Sequence, residues 1–288
     1  MERRARLVQC IVMALYDQHL HSRHSFDSHA DPEANVRAAM ARGLAGLTFT
    51  EHFDTHPSEW EACVYDDESY SATIEALRSR FGGELFIGKG IEVCYQPSRM
   101  DFIVDHLDRH RFDVVLLSVH YFGDRPVHVR DAWDGMSVVE GTRKYFAYML
   151  EAVRFCERLH RERGPVFDVL AHLDFVKRYT KRFFGEVVVG ECMDLIEEIL
   201  TGCLAAGLVP EINTSTLRQG HEEPMPPSDV IRLYARLGGT AMSLGSDAHR
   251  SEDIGSGFDR AVALLAEAGI GRTVVFKDRE RVEVPVES

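Results

Sequence analysis

The feature that most constrains the fold is an alternation of short apolar runs with longer helical patterns along the whole chain. This alternation is typical of proteins built from βα units, whose strands form a parallel sheet. The seven predicted strands are Cys10–Tyr16, Leu44–Thr50, Leu85–Ile91, Asp113–Val119, Val166–Ala171, Leu208–Asn213 and Ala241–Ser246. The length of 288 residues allows one large α/β barrel or two smaller domains. No linker or change in composition divides the chain, so we predict a single α/β domain over 1–288.

Helix signals fill the segments between these runs. Asp31-Pro32-Glu33 is a typical helix start, with an N-cap aspartate, a proline in the first position and an acidic first turn. The predicted helices cover about 31–41, 66–80, 138–163, 191–206, 228–237 and 252–268, and a short strand follows at 273–276. The segment Tyr121–Gly135 has no clear period and is predicted to be a long loop.

Polar side chains that can bind metals recur just after each predicted strand. The first motif is Asp17-Gln18-His19-Leu20-His21, whose alternate side chains project to one face of an extended chain. The corresponding residues after the other strands are His52, Glu92, His120, His172, Asn213, Asp247 and His249. The carboxyl ends of the strands of a (β/α) barrel converge on one mouth, where active sites lie. The recurrence, more than any single histidine, therefore predicts one polar site.

The chemistry of these side chains indicates a metal centre. Imidazole and carboxylate ligands without thiolate suit zinc, iron or manganese. Glu92 among so many histidines suggests a carboxylate that bridges two ions, and ions roughly 3.5–4 Å apart are a recurring device of phosphoester hydrolysis. The candidate ligands outnumber those that one tetrahedral ion can use. We therefore expect two or three divalent ions.

Charge and composition exclude several classes of protein. The formal net charge is −13 with no cluster of Lys and Arg, which argues against a nucleic-acid surface but allows a small anionic substrate. No run of 18 apolar residues predicts a membrane span. The run Cys10–Tyr16 is short and lacks a cleavage signal, and the six cysteines form no C-x-x-C pair, so we expect a cytoplasmic protein.

The motifs, taken in order, resemble the PHP (polymerase and histidinol phosphatase) superfamily. They are Asp17-x-His19-x-His21-Ser22, Thr50-Glu51-His52, Gly90-Ile91-Glu92, Ser118-Val119-His120, Ala171-His172-Leu173-Asp174, Asn213-Thr214-Ser215 and Gly245-Ser246-Asp247-Ala248-His249. The phrases at 118–121, 172–179 and 213–218 are most similar to the monofunctional histidinol-phosphatase branch. The resemblance covers about Asp17 to Arg250.

This resemblance implies a distorted seven-stranded (β/α) barrel that holds a trinuclear metal centre. The first ion would be held by His19, His21, Glu92 and Asp247. Glu92 would bridge to a second ion, completed by His120 and His172. The third ion would take Asp27, His52 and His249, with Asp27 at a position where many relatives have histidine.

The resemblance also implies the reaction, the hydrolysis of L-histidinol phosphate to L-histidinol and phosphate in histidine biosynthesis. The attacking group would be a hydroxide activated by the ions. Arg218 is the first choice and Arg178 the second for an arginine that binds the phosphate. Asp247 or His249 could assist the leaving alcohol. The residues expected to orient the ligand imidazoles are Asp17, Glu51 and Asp174.

Three other functions remain open at this stage. The first is a PHP enzyme that acts on another small phosphate ester or on a nucleotide, or a nuclease, against which the acidic charge argues. The second is an amidohydrolase, although His120 stands where those enzymes usually have a lysine. The third is a metal-binding protein without catalytic activity. The oligomeric state and the residues that bind the imidazole and amine of the substrate are not identified, and the loops 121–135 and 219–227 are candidates for the latter.

Overall fold

Seven parallel strands form the centre of the molecule in the computed structural model, which describes residues 14–56, 63 and 65–286. In spatial as well as chain order they are β1 (Tyr16–Leu20), β2 (Gly46–Phe53), β3 (Phe86–Cys94), β4 (Val114–Ser118), β7 (Val169–Leu170), β8 (Val209–Asn213) and β9 (Ser243–Gly245). Two antiparallel hairpins lie outside this sheet, β5 (Tyr121–Phe122) with β6 (Arg125–Pro126) and β10 (Arg272–Lys277) with β11 (Glu280–Pro285).

The first and last strands of the sheet approach each other, so the sheet curls into a nearly closed barrel. The backbone N–H of His21 donates to the Ala248 carbonyl over 2.8 Å, and the N–H of Asp247 donates to the His19 carbonyl over 2.7 Å. These bonds join β1 to the segment after β9 at the carboxyl end of the barrel. The predicted barrel is therefore confirmed, and its seam is joined by backbone groups of three predicted site residues, His19, His21 and Asp247.

Helices surround the sheet, most of them on its outer face and two short ones after β7 and β8 at the carboxyl end of the barrel. They are α1 (Pro32–Ala41), α2 (Asp67–Phe81), α3 (Met100–Arg109), α4 (Val138–Arg163), α5 (Val176–Phe184), α6 (Met193–Ala206), α7 (Ser215–Arg218), α8 (Ser228–Arg236) and α9 (Phe258–Glu267). Local signals start several of them: Asp31 caps α1, Asp66 caps α2, and Ser137 with Glu140 forms a capping box at α4. Among the described helices, none has both the length and the apolar character that crossing a bilayer requires.

The inner face of the sheet carries a small core of its own. Leu116 lies opposite Glu92 in the parallel register of β3 and β4, so both side chains point into the barrel. The members of this inner core are Val114, Leu116, Val169, Ala171, Val209, Ala241, Val274 and Phe276. The last two belong to β10, so the hairpin β10–β11 packs into the interior on the side away from the polar rim.

The first three strands of the sheet extend past the ends that the prediction gave them. β1 contains Asp17 and His19, β2 continues through His52, and β3 continues through Glu92, whereas the prediction placed these residues after the strands. Residues 10–13 of the first predicted strand lie outside the described residues. Backbone pairing continues past the last apolar side chain because the ladder needs only N–H and C=O groups, so hydrophobicity marks the buried apolar part of each strand alone.

Other parts of the prediction need correction as well. The segment 121–135 is not a structureless loop, because it contains the hairpin β5–β6 and a 3-10 turn at Arg130–Trp133 whose buried indole donates to the Val127 carbonyl over 2.9 Å. Helices α3 and α5 and strand β11 were not predicted. The strand predicted at Val166–Ala171 is reduced to β7, and α9 begins at Phe258 instead of near 252.

Candidate metal centre

The Glu92 carboxylate, which is buried on β3, lies at the centre of the polar rim. Its Oε2 atom lies 3.0–3.5 Å from nitrogen atoms of three imidazoles, those of His52, His19 and His21. Its Oε1 atom lies 2.8 and 3.3 Å from the Nε2 atoms of two others, those of His172 and His120. Imidazoles from four strand ends, those of β1, β2, β4 and β7, therefore meet at a carboxylate carried by β3.

Two further carboxylates complete the cluster. Asp247 Oδ1 lies 3.5 Å from His21 Nε2 and 3.6 Å from His249 Nδ1. Asp27, in the loop after β1, places Oδ2 3.0 Å from His249 Nε2 and 3.5 Å from His52 Nε2. The structure thus brings together all nine residues that the sequence predicted as metal ligands.

Several buried atoms in this cluster lack a hydrogen-bond partner among the described residues. They are His19 Nε2, His21 Nε2, His52 Nδ1 and Glu92 Oε2. Buried polar groups are nearly always satisfied, so four such atoms facing one another require an explanation. In a tetrahedral zinc site with bonds of 2.0–2.1 Å, ligand atoms are about 3.3 Å apart, close to the spacings around Glu92. The donor set therefore fits divalent metal ions.

At Glu92 and His21 the electrostatics of the cluster favour the protonation states that metal ligands need. At His19, His52 and His120 the neighbouring carboxylates outweigh burial and raise the pKa well above its usual value, an effect that a bound cation would oppose. Burial alone raises the pKa of Glu92, but the charges of His19 and His52 and hydrogen bonds from His120 and His172 hold it well below its usual range. Burial, reinforced by the neighbouring imidazoles of His52 and His249, lowers the pKa of His21 to about 3. Near neutral pH the carboxylate is ionised and His21 is neutral, and metal binding requires both.

Two carboxylates that the sequence interpretation missed contact the predicted ligands. Glu211 Oε1 accepts a hydrogen bond from His19 Nδ1 over 2.7 Å, and Asp54 Oδ2 accepts one from His120 Nδ1 over 2.9 Å. Both lie two residues from a predicted site residue, Glu211 before Asn213 and Asp54 after His52. Because alternate residues of a strand share a face, this spacing is the signal that could have identified them.

Two of the three acids predicted to orient imidazoles have other partners, so that part of the prediction needs correction. Asp17 accepts hydrogen bonds from the Oγ and N–H of Ser246 and from the N–H of Gly255, which fixes the loop after β9. Asp174 forms a buried ion pair with Lys177 at 3.0 Å. The orienting contacts come instead from Glu211 and Asp54.

The third acid, Glu51, reaches an imidazole indirectly. It accepts hydrogen bonds from Ser22 and from Ser25 Oγ, and Ser25 Oγ lies 3.2 Å from His21 Nδ1. The expectation for Glu51 therefore holds only through Ser25.

The structure reverses the order of preference between the two arginines. Arg178 lines the cavity above the cluster, donates to Asp247 Oδ2 over 2.8 Å and lies 4.9 Å over the ring of Phe175. Arg218 donates to the backbone carbonyls of Ser246 and Asp247 and does not line this cavity. Arg178 is thus the arginine placed to meet a bound anion, and Arg218 holds the loop that carries Asp247.

A cavity of about 670 Å³ opens above the cluster. Helix α5 contributes Arg178, Tyr179 and Arg182 to its wall, and Asp54 and Phe26 line it from other sides. Its volume lies within the range of small-molecule sites.

Two of the four non-glycine residues with positive φ in the described part of the chain lie at the rim. His172 and Asp247 have backbone φ angles of 22° and 51°, values that residues other than glycine seldom adopt. Residues in such conformations cluster at functional sites, where the surrounding structure holds them in place. Here hydrogen bonds from the His172 N–H to Glu211 and from the Asp247 N–H to the His19 carbonyl hold both residues.

Several known proteins are similar to this chain in both sequence and fold. A histidinol-phosphatase of Lactococcus lactis is 28% identical over 265 residues, which cover 92% of this chain and 95% of that protein. A Deinococcus radiodurans protein named "Probable histidinol-phosphatase" is 29% identical over 273 residues, covering 92% of this chain and 98% of that protein. The crystal structure of the Lactococcus lactis histidinol phosphate phosphatase, complexed with zinc, L-histidinol and phosphate, has a TM-score of 0.82 at 27% identity and covers 93% of this chain and 98% of that chain.

The family assignment follows from a match that includes most of the cluster. The PHP domain family model matches residues 17–215, well over half of the 288 residues. The matched segment includes every predicted ligand except Asp247 and His249. This chain therefore belongs to the PHP domain family.

Proposed function

We propose that this protein is a metal-dependent phosphomonoesterase that hydrolyses L-histidinol phosphate to L-histidinol and phosphate. The observation that carries the proposal is the convergence of nine imidazole and carboxylate side chains below one cavity. Similarity over 93% of the chain to an enzyme whose crystal structure holds zinc, L-histidinol and phosphate supports the choice of substrate.

We propose two or three divalent ions, of zinc, iron or manganese by the chemistry of the ligands. The ligands of each ion are those that the family resemblance implied. His19, His21, Glu92 and Asp247 would hold the first ion, and His120 and His172 would complete the second with Glu92. The two oxygens of Glu92 face these two groups separately, which suits a bridging carboxylate. Asp27, His52 and His249 would hold the third, and the contacts of Asp27 with both imidazoles support its place in that set.

The ions, when bound, would supply an activated water and neutralise charge on the phosphoryl oxygens. Arg178 would bind a phosphate oxygen from the cavity wall, and its contact with Phe175 restricts the guanidinium to that side. Asp247 Oδ2 accepts hydrogen bonds from Arg178 and Ser215. The leaving alcohol would take its proton from Asp247 or from His249, which is 31% exposed at the rim, and binding of an ion by the same side chain would compete with this role.

The test measures phosphate release from L-histidinol phosphate by protein loaded with zinc, manganese or iron. His19→Ala and Glu92→Ala should each lower kcat by more than the roughly 10–100-fold that losing a hydrogen-bond partner of a ligand costs. His29→Ala, at an exposed histidine outside the cluster, is the matched control and should keep wild-type activity.

Two results would contradict different parts of the proposal. Activity that survives complete removal of metal by a chelator would exclude the metal mechanism. Metal-loaded protein that leaves L-histidinol phosphate intact but hydrolyses another phosphate ester would keep the mechanism and reject the substrate.

A further inference from the structure

One carboxylate in the cavity wall has an oxygen without a partner. Asp54 follows the end of β2 and is only 5% exposed. Its Oδ2 atom accepts the hydrogen bond from His120 Nδ1, whereas Oδ1 has no hydrogen-bond partner among the described residues and lies 4.0 Å from His52 Nδ1. Leaving a buried charged acceptor unpaired costs more than leaving a neutral one unpaired, so this oxygen is expected to have a ligand.

The charges around the cavity indicate which kind of ligand. Four carboxylates line it among the described residues, and three of them, Asp27, Glu92 and Asp247, belong to the proposed ligand set. Asp54 is the one that remains. On the other part of the wall, Arg178 and Arg182 provide positive charge suited to a phosphate.

We infer that Asp54 Oδ1 binds the protonated amine of the substrate, so that the enzyme prefers phosphate esters of amino alcohols. The inference rests on the proposed function, because L-histidinol phosphate joins a phosphate to a carbon skeleton that carries a primary amine. An ammonium group donates charge-assisted hydrogen bonds to a carboxylate, and a buried site strengthens them. The arginines and Asp54 would then recognise the two charged ends of the substrate.

Asp54 has two competing roles that the experiment must separate. By its bond to Nδ1 it orients His120, and carboxylates commonly play this part beside metal ligands. Its oxygen atoms also lie close enough to His52 and His120 to join them around an ion. Amine binding affects only substrates that carry an amine, whereas the other two roles affect every ester.

The test uses Asp54→Asn, which keeps the shape of the side chain and an oxygen that accepts the His120 hydrogen bond. We measure kcat/KM for L-histidinol phosphate and for phenyl phosphate, which has no amine, together with metal content. The ratio of the two kcat/KM values should fall about 10–100-fold, the usual range for one lost hydrogen bond to a charged group, mainly through KM. Asp105→Asn, at an exposed carboxylate on α3, should leave the ratio unchanged.

Several results would overturn the inference. Equal losses on both esters would show that Asp54 acts through His120, and loss of a metal equivalent would make it a ligand. A wild-type enzyme that cleaves phenyl phosphate but not L-histidinol phosphate would reject the proposed function itself, before any variant is made. If Asp54→Asn does not fold, wild-type inhibition decides: L-histidinol should bind at least about tenfold tighter than its analogue without the amine, and equal binding overturns the inference.

Discussion

Glu211 illustrates how a single carboxylate sets which nitrogen of His19, a proposed metal ligand, carries the proton. Its Oε2 atom accepts hydrogen bonds from the N–H of His172 over 2.8 Å and from the amide of Asn213 over 3.2 Å. Its Oε1 atom is therefore available to accept a hydrogen bond from His19 Nδ1. This bond keeps the proton on Nδ1, so the lone pair of Nε2 faces Glu92. Gly245 provides the space, because a Cβ atom there would overlap the Glu211 carboxylate and crowd His19.

Glu211→Gln is expected to lower metal affinity about 10–100-fold. The His172 N–H and the Asn213 amide need an acceptor where Oε2 lies, so the amide oxygen of the new glutamine takes that position. Its NH₂ group must then face His19 Nδ1. That nitrogen then has to accept, the proton moves to Nε2, and His19 can no longer bind an ion through Nε2. Competition for zinc with a chromophoric chelator measures the affinity.

The matched control for this residue is Glu198→Gln, at an exposed glutamate that pairs with Arg154 on the outer surface. It should bind zinc as the wild type does. Unchanged zinc affinity in Glu211→Gln would mean that Glu211 does not determine the tautomer of His19.

At the level of elements, helix α5 and the loop after β9 divide the tasks of the two arginines. Helix α5 presents Arg178 to the cavity and ends at Gly185 in the left-handed conformation. The loop after β9 carries Asp247 and is held by Arg218 through two backbone carbonyls. One arginine is thus placed to contact a phosphate in the cavity, and the other positions the loop that carries two proposed metal ligands, Asp247 and His249.

The two arginines should therefore respond differently to truncation. Arg178→Ala should weaken inhibition by inorganic phosphate on the order of 10–100-fold, the range for one charge-assisted contact, and should keep its metal. Arg218→Ala should bind metal more weakly as well as lose activity, because the loop that carries Asp247 keeps its contacts with Asp17 and His19 but loses two backbone hydrogen bonds. Phosphate inhibition constants and elemental analysis of both proteins measure this difference, and metal loss in Arg178→Ala with full retention in Arg218→Ala would refute the division.

At the scale of the whole molecule, the hairpin β10–β11 packs into the barrel at the end opposite the metal centre. Arg279 lies in the turn between β10 and β11. It donates to both oxygens of the buried Asp168 over 2.6 and 3.0 Å and to the Val166 carbonyl over 2.8 Å. Burial raises the pKa of Asp168, and the charge of Arg279 offsets only part of that effect. The hairpin is therefore joined to the barrel through a partly compensated buried charge.

Arg279→Ala should destabilise the fold by about 3 kcal/mol, the lower end for breaking a buried ion pair. The effect should depend on pH in a definite direction. Because the pKa of Asp168 is raised in the folded state, the contribution of this carboxyl to stability is fully present below its unfolded pKa. That contribution is lost as pH rises through the folded pKa. Removing the arginine raises the folded pKa further, so the difference in Tm from the wild type should be larger at pH 8 than at pH 5.

Thermal unfolding at both pH values checks this prediction. Arg281→Ala, at an exposed position on β11 of the same hairpin, is the control and should change Tm little at either pH. A pH-independent loss in Arg279→Ala would mean that packing, not the charge of Asp168, joins the hairpin to the barrel.

The strand-end residues were predictable because their signal is local. His19, Glu92, His172 and Asp247 each follow or end an apolar run, and parallel strands carry their ends to the same edge. Helix α5 was missed because it is only nine residues long and rich in Lys and Arg, although Val176, Tyr179, Phe183 and Phe184 form an apolar stripe that packs against the core. The description of 1–288 as one domain stays a prediction.

The sequence by itself determined the succession of strands along the chain and the family motifs, since each depends on the spacing of residues close together in the chain. The resemblance that these motifs carry then implied the nine candidate ligands. Only the tertiary structure decided which carboxylates orient which imidazoles, because Glu211 meets His19 and Asp54 meets His120 across separations of 192 and 66 residues. It also decided that Arg178 faces the cavity while Arg218 faces the backbone. Partners of this kind are set by how strands and loops pack, and local patterns contain no record of that packing.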